Sequence, residues 1–262
     1  MPVIVLPGHV IDTLIYPVGI GMRHRAYEPA HITDVPWGWS AGIAVTAWRP
    51  IGVGDAIQAV ASITSTSASG EAPVIPVIPS ATLHVRKSIT PHFELGASLL
   101  PIPAAVPYVS GYLAGADATW MLYEPAPDIE LPYVALRGVY SQNKLSIDYK
   151  GQALVTILSV TTGVELLASK PLLGAEPYVG LAFMLARGSL LAQIAVPASP
   201  APAPVIAPIS LMQTGMARSL TLFAGIKLRT PSLLGLKLAL TLEGAYDPAG
   251  AHTIGLKLGA VY

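Results

Sequence analysis

Cysteine is absent from this sequence of 262 residues, which excludes disulfide bonds and thiolate metal sites. Charge is scarce too. Charged residues make up 11% of the chain, against about 25% in an average soluble domain, while 52% of residues are apolar. No run of about 18 apolar residues free of proline exists, so this apolar excess does not form a membrane helix. Fifteen basic and fifteen acidic residues cancel, which leaves no overall field to draw nucleic acid. Nucleic acid is therefore not an expected partner. The opening Met1-Pro2-Val3-Ile4-Val5-Leu6-Pro7 lacks the basic start and small-residue cleavage site of a signal peptide, so a mature or recombinant form is expected if the protein is exported. No charged or Gly/Ser-rich linker divides the chain, and residues 1–262 are expected to form one domain.

What the chain does have is alternation. Leu234, Leu236, Leu238, Leu240 and Leu242 alternate with Gly235, Lys237, Ala239, Thr241 and Glu243, and successive side chains of a strand point to opposite faces. After a turn at Asp247-Pro248-Ala249-Gly250 the pattern returns as Ile254, Leu256, Leu258, Ala260 and Tyr262 against Thr253, Gly255, Lys257 and Gly259. This final segment resembles the closing strand of Gram-negative outer-membrane β-barrels, in which a terminal aromatic and alternate apolar residues form the assembly signal. The resemblance implies that Ile254, Leu256, Leu258, Ala260 and Tyr262 are read by the outer-membrane assembly machinery. It also implies an all-β fold, an antiparallel up-and-down transmembrane β-barrel in a bilayer or detergent, located in the bacterial outer membrane.

Residues 1–17 are apolar and proline-punctuated, and read as an irregular leader or a plug tucked into the lumen. A first strand is predicted over Val18 to Arg25, and a second over Trp37 to Trp48 whose tryptophans begin an interfacial girdle. Gly52 to Ser69 reads equally as a short helix or a strand. Ala81 to Arg86 and Phe93 to Leu99 form a hairpin around Thr90-Pro91, followed by strands over Tyr108 to Tyr123 and Leu131 to Ser141. A polar loop is predicted over Gln142 to Gln152, then strands over Ala153 to Ser169 and Glu176 to Arg187. The proline-rich run Gly188 to Ala217 reads as an apolar loop before the strand Arg218 to Arg229. That makes eleven strands. Single-chain bacterial barrels use an even number, so about twelve are expected, with Ile57 to Thr64 or part of the N-terminal stretch supplying the last. With the C-terminus periplasmic, the regions around 142–152, 188–217 and 247–250 would be extracellular.

The charges separate from the leucines. Lys227, Arg229, Lys237, Glu243 and Lys257 share the face opposite the leucines, as a bilayer imposes when a lipid-facing Lys or Arg costs about 2 to 4 kcal/mol at the midplane. A soluble sandwich would use the same alternation inside out, but glycines recur on the polar face, where a crowded, concave lumen explains them better than an exposed strand face does. The expected lumen therefore collects Arg23, Arg25, Arg86, Arg137, Lys227, Arg229, Lys237 and Lys257 against Glu94, Asp117, Glu165 and Glu243. These charges either form a salt-bridge mesh or make a wet, weakly anion-selective pore.

The expected function is a channel or transporter for passive passage of small solutes. A structural, assembly or designed barrel without transport, and a lipase-like or protease-like barrel enzyme, are the alternatives. No Gly-x-Ser-x-Gly element, zinc-spaced histidine pair or Gly-x-Gly-x-x-Gly loop occurs, so neither catalysis nor a cofactor is expected. His84 and His92 are the one close lumen-facing histidine pair that the pattern predicts.

Overall fold

The computed structural model describes residues 8–32, 37–48, 78–102, 109–126, 129–149, 153–195, 208–230, 237–248, 250 and 252–261. Ten strands close into one antiparallel barrel: β1 (Trp39–Trp48), β2 (Ile78–Thr90), β3 (Phe93–Ile102), β4 (Val109–Tyr123), β5 (Tyr133–Tyr149), β6 (Ala153–Ser169), β7 (Ala175–Ala195), β8 (Pro208–Arg229), β9 (Lys237–Tyr246) and β10 (Thr253–Val261). Each strand pairs with its sequence neighbours, and β10 returns to β1 from Ser40↔Val261 to Trp48↔Thr253. Closure gives every strand a neighbour on both sides through the short span set by β9 and β10, as a backbone in lipid requires.

The alternation sets the two faces. Leu258 is 58% exposed while Lys257 beside it is 4% exposed, and the same contrast runs through Leu240, Leu242 and Leu256 against Thr241, Glu243 and Gly255. Leucines point out to lipid and charges point in. Trp37, Trp39 and Trp120 are exposed near one end of the barrel, with the Lys87 ammonium 4.1 Å from the Trp39 ring centroid, as an interfacial girdle requires.

The strand count corrects the sequence reading, because Val18 to Arg25 is not a strand. The chain instead forms α1 (Gly8–Ile15), a π-helix over Tyr16–Gly21 and an extended run to residue 32, all inside the barrel. Its alternation reflects a segment enclosed by wall on every side: Val18, Gly19, Ile20, Met22 and Arg23 are buried alike. Ten strands satisfy the even-number rule without the missing twelfth, and Ile57 to Thr64 lies outside the described residues. Two predicted loops are also largely strand. β5 runs through Asn143 to Tyr149, pairing Tyr149↔Ala153. β7 and β8 pair from Ala175↔Leu228 to Ala195↔Pro208.

The two ends of the barrel differ. One carries the connections at 91–92, 124–132, 170–174 and 230–236, and here it is called the turn end. The other carries the connections at 49–77, 103–108, 150–152, 196–207 and 247–252, and is called the loop end. β9 and β10, with 10 and 9 residues, are just long enough to cross a bilayer, whereas β7 and β8, with 21 and 22, stand well beyond it at the loop end.

Candidate functional site

The site is the lumen, which residues 8–32 fill from the loop end to the turn end. At the loop end α1 lies against Gly188 and Gly215 of β7 and β8. Ile11 and Ile15 are buried there, and the Asp12 carboxylate accepts the Met216 amide at 2.9 Å. Further in, the Thr161 hydroxyl donates to the Gly19 carbonyl at 2.9 Å and Asn143 Nδ2 to the Val18 carbonyl at 3.0 Å. These wall groups satisfy carbonyls that the irregular backbone leaves free. At the turn end, the amides of Ala30 and His31 both reach the Ser169 hydroxyl at 3.2 Å.

Between these anchors the plug is held by charge. Glu28 sits between two lysines of the wall, with Lys257 Nζ 2.5 Å from Oε1 and Lys227 on Oε2. Lys257 also donates to the Ala26 carbonyl at 3.2 Å, and Arg137 Nη2 donates to the Glu28 carbonyl at 2.8 Å. Arg25 Nη1 lies 3.4 Å from Glu243, whose other oxygen accepts the Tyr178 hydroxyl at 2.8 Å. Arg23 is 3.9 Å from Glu165. His24 fits between β3 and β4, with Nδ1 2.5 Å from Ser98 Oγ and Nε2 2.5 Å from Asp117 Oδ1. Gly115 makes this fit, because a Cβ there would collide with the His24 side chain. Gly255 does the same for the Tyr27 ring, whose hydroxyl bonds Thr46.

The wall is also cross-linked to itself. Arg86 holds Asp117 at 2.9 Å and Glu94 at 3.0 Å. Arg137 holds Glu165 at 3.1 Å and the Thr119 hydroxyl at 3.0 Å. Arg229 reaches Glu176 at 2.5 Å. An unpaired charge here would cost several kcal/mol, by the general behaviour of buried ions, so pairing is a condition of folding.

The structure thus brings Arg23, Arg25, Arg86, Glu94, Asp117, Arg137, Glu165, Lys227, Arg229, Glu243 and Lys257 into one lumen. Arg23 and Arg25 reach it on the plug instead of a strand. Lys237 does not join it, being exposed at the turn-end rim of β9. His92 does not pair with His84 either. It is exposed and bonded to Glu124 at 3.1 Å, and the ring beside His84 is that of His24, 5.8 Å between centroids. Ile254, Leu256 and Leu258 face lipid, while Ala260 is half-buried and Tyr262 lies outside the described residues. Sequence reasoning missed Glu28 and Asp247, which fall on no recognisable alternating run, and Glu176, which stands on the inward face at the first position of a predicted strand. Asp247, read as a turn residue, is buried and accepts from the Ser219 and Thr221 hydroxyls.

No protein-family model and no curated protein matches this chain. Among solved structures it is similar to the outer membrane protease OmpT from Escherichia coli, at 10% identity, 88% of this chain, 96% of that chain and a TM-score of 0.41. It is also similar to the translocator domain of autotransporter NalP from Neisseria meningitidis, at 10% identity, covering 95% and 92% of the two chains with a TM-score of 0.44. A third is the transport unit of the autotransporter AIDA-I from Escherichia coli, at 8% identity, 97% and 98% coverage and a TM-score of 0.37. Likenesses this remote concern the barrel and carry no residue roles to this chain. They do correct one expectation: with a protease among such barrels, the reading of the chain as no enzyme does not stand. With a closed antiparallel ladder, a leucine belt outside and ions inside, the chain has the build of an integral membrane β-barrel.

Proposed function

We propose that the barrel is a conduit for small solutes, held shut by its own N-terminal segment. The observation that carries this reading is the way residues 18–31 are gripped. Wall side chains hold carbonyls, one carboxylate and one imidazole, while the barrel's own ladder is complete without the plug. Such a segment can leave without unfolding the wall. The plug takes Arg23 and Arg25 with it, and Glu176 and Asp247 join the acids that remain, so bases no longer outnumber acids in the emptied lumen. The anion preference expected from sequence is replaced by a weak cation preference.

Planar-bilayer recordings test this. The intact chain should rest at a closed level, and a chain lacking residues 8–32 should open in steps with a reversal potential shifted toward cations. A truncated barrel that folds, as judged by heat-modifiable gel migration, yet carries no current would overturn the proposal.

The line Ser98, His24, Asp117 favours a second reading, as nucleophile, base and orienting acid. Against it, Ser98 is buried, and the cavity beside His24 measures about 20 Å³, room for little more than one water. A plug that moves aside to admit substrate also removes His24. In the conduit reading these three residues are a latch, and a fluorophosphonate probe should leave Ser98 unlabelled. Stoichiometric labelling of Ser98 would favour the hydrolase.

A further inference from the structure

Among the strand side chains described, four charged ones point to the lipid side, and all four are basic: Lys87, Lys144, Arg187 and Arg218. Lys87 lies at the turn end over Trp39. The other three gather at the loop end, on β5, β7 and β8. None of the three forms an ion pair among the described residues. Their neighbours on the outer face, Tyr140, Gln142, Thr162 and Ser189, are all neutral.

Strand tilt brings the three cations to one level. Followed from Arg218 through Leu185, Thr162 and Tyr140 and on around the barrel, the row of paired residues returns to β8 at Thr230, near the turn end. A row perpendicular to the strands therefore descends from β8 towards β5. Arg187 stands two residues above this row on β7, and Lys144 four residues above it on β5. At about 3.4 Å per residue these steps offset the descent. Arg187 and Arg218 are diagonal neighbours, about 7 Å apart, and Lys144 lies roughly 12 Å from Arg187 by strand spacing. Towards the turn end, past Gln142, Tyr140 and Thr162, the row Gly138, Val164, Phe183 and Leu220 is wholly apolar.

We infer that this arc of three cations docks the phosphate-bearing headgroup of an outer-leaflet lipid, whose acyl chains lie on the apolar row beneath. Paired guanidinium forks match phosphate oxygens, and the separate ammonium of Lys144 suits a headgroup carrying two phosphates. The position selects a lipid over a soluble anion, because the charges begin where the greasy wall ends, on the side where β5 to β8 rise above β9 and β10. The inference rests on a membrane barrel whose loop end faces outward and is independent of whether the lumen conducts.

The test is native mass spectrometry of the full chain in neutral detergent. Three probes are added in turn: diphosphorylated lipid A, its dephosphorylated form, and inorganic phosphate. The wild type should retain one lipid A at least about tenfold better than the dephosphorylated form, and the triple variant K144Q/R187Q/R218Q should lose that preference. K87Q, at the other rim, should keep it. Equal retention of the two lipids by the wild type, unchanged preference in a triple variant that still migrates as a folded barrel, or retention of inorganic phosphate as strong as that of lipid A would each overturn the assignment.

Discussion

Glu28 shows how one residue can hold a segment in place. Its carboxylate is the shared partner of Lys227 and Lys257, so Glu28→Gln leaves two buried ammonium groups facing a neutral amide. Removing one partner of a buried ion pair costs on the order of 3 kcal/mol. That loss should fall on plug docking while the ladder stays intact. Limited proteolysis of the folded barrel should therefore cut within residues 8–32 much faster in Glu28→Gln than in wild type, while the barrel keeps its heat-modifiable migration; equal cutting rates would mean the lysines hold nothing. The inward charges of the wall were legible from sequence, because a strand assigns each residue to one of two faces. Glu28 and His24 were not. Their partners lie 199 and 93 residues away, and no local pattern encodes such a pairing.

At the scale of the strand, alternation works where lipid enforces it and weakens where lipid is absent. β9 and β10, which only just cross the membrane, read almost without error. β5, β7 and β8 outrun the bilayer, and there the outer face is released from that constraint: Gln142, Lys144, Ser189 and Thr214 blur the pattern into apparent loop. The prolines marked the right place but too wide a span, since β7 ends at Ala195 and β8 begins at Pro208, where a ladder tolerates proline best. The plug failed differently, imitating a strand because burial on all sides leaves no polar face to give it away. A lysine placed on the lipid side of β9 checks the assignment of faces. Leu240→Lys should lower the stability of the detergent-folded barrel by about 2 to 4 kcal/mol in urea titration, whereas a negligible change would mean that this face meets water.

For the molecule as a whole, the order of the chain and the position of the seam belong together. The occupied lumen is reached by the very residues that precede β1, and β1 is also one lip of the junction with β10. The grips on that segment come from β3, β4, β5, β6, β8 and β10, so they are complete only once the cylinder has sealed. The guest is thus gripped fully only as its container closes, and assembly has a direction in time. A barrel refolded from a chain lacking residues 1–32 should take up the missing stretch as a synthetic peptide faster when both are present during refolding than when peptide is offered to the finished cylinder, as fluorescence anisotropy of the labelled peptide would report; equal rates would mean that closure and docking are separate events. Closing the last seam is in this sense also the act that corks the bottle from within.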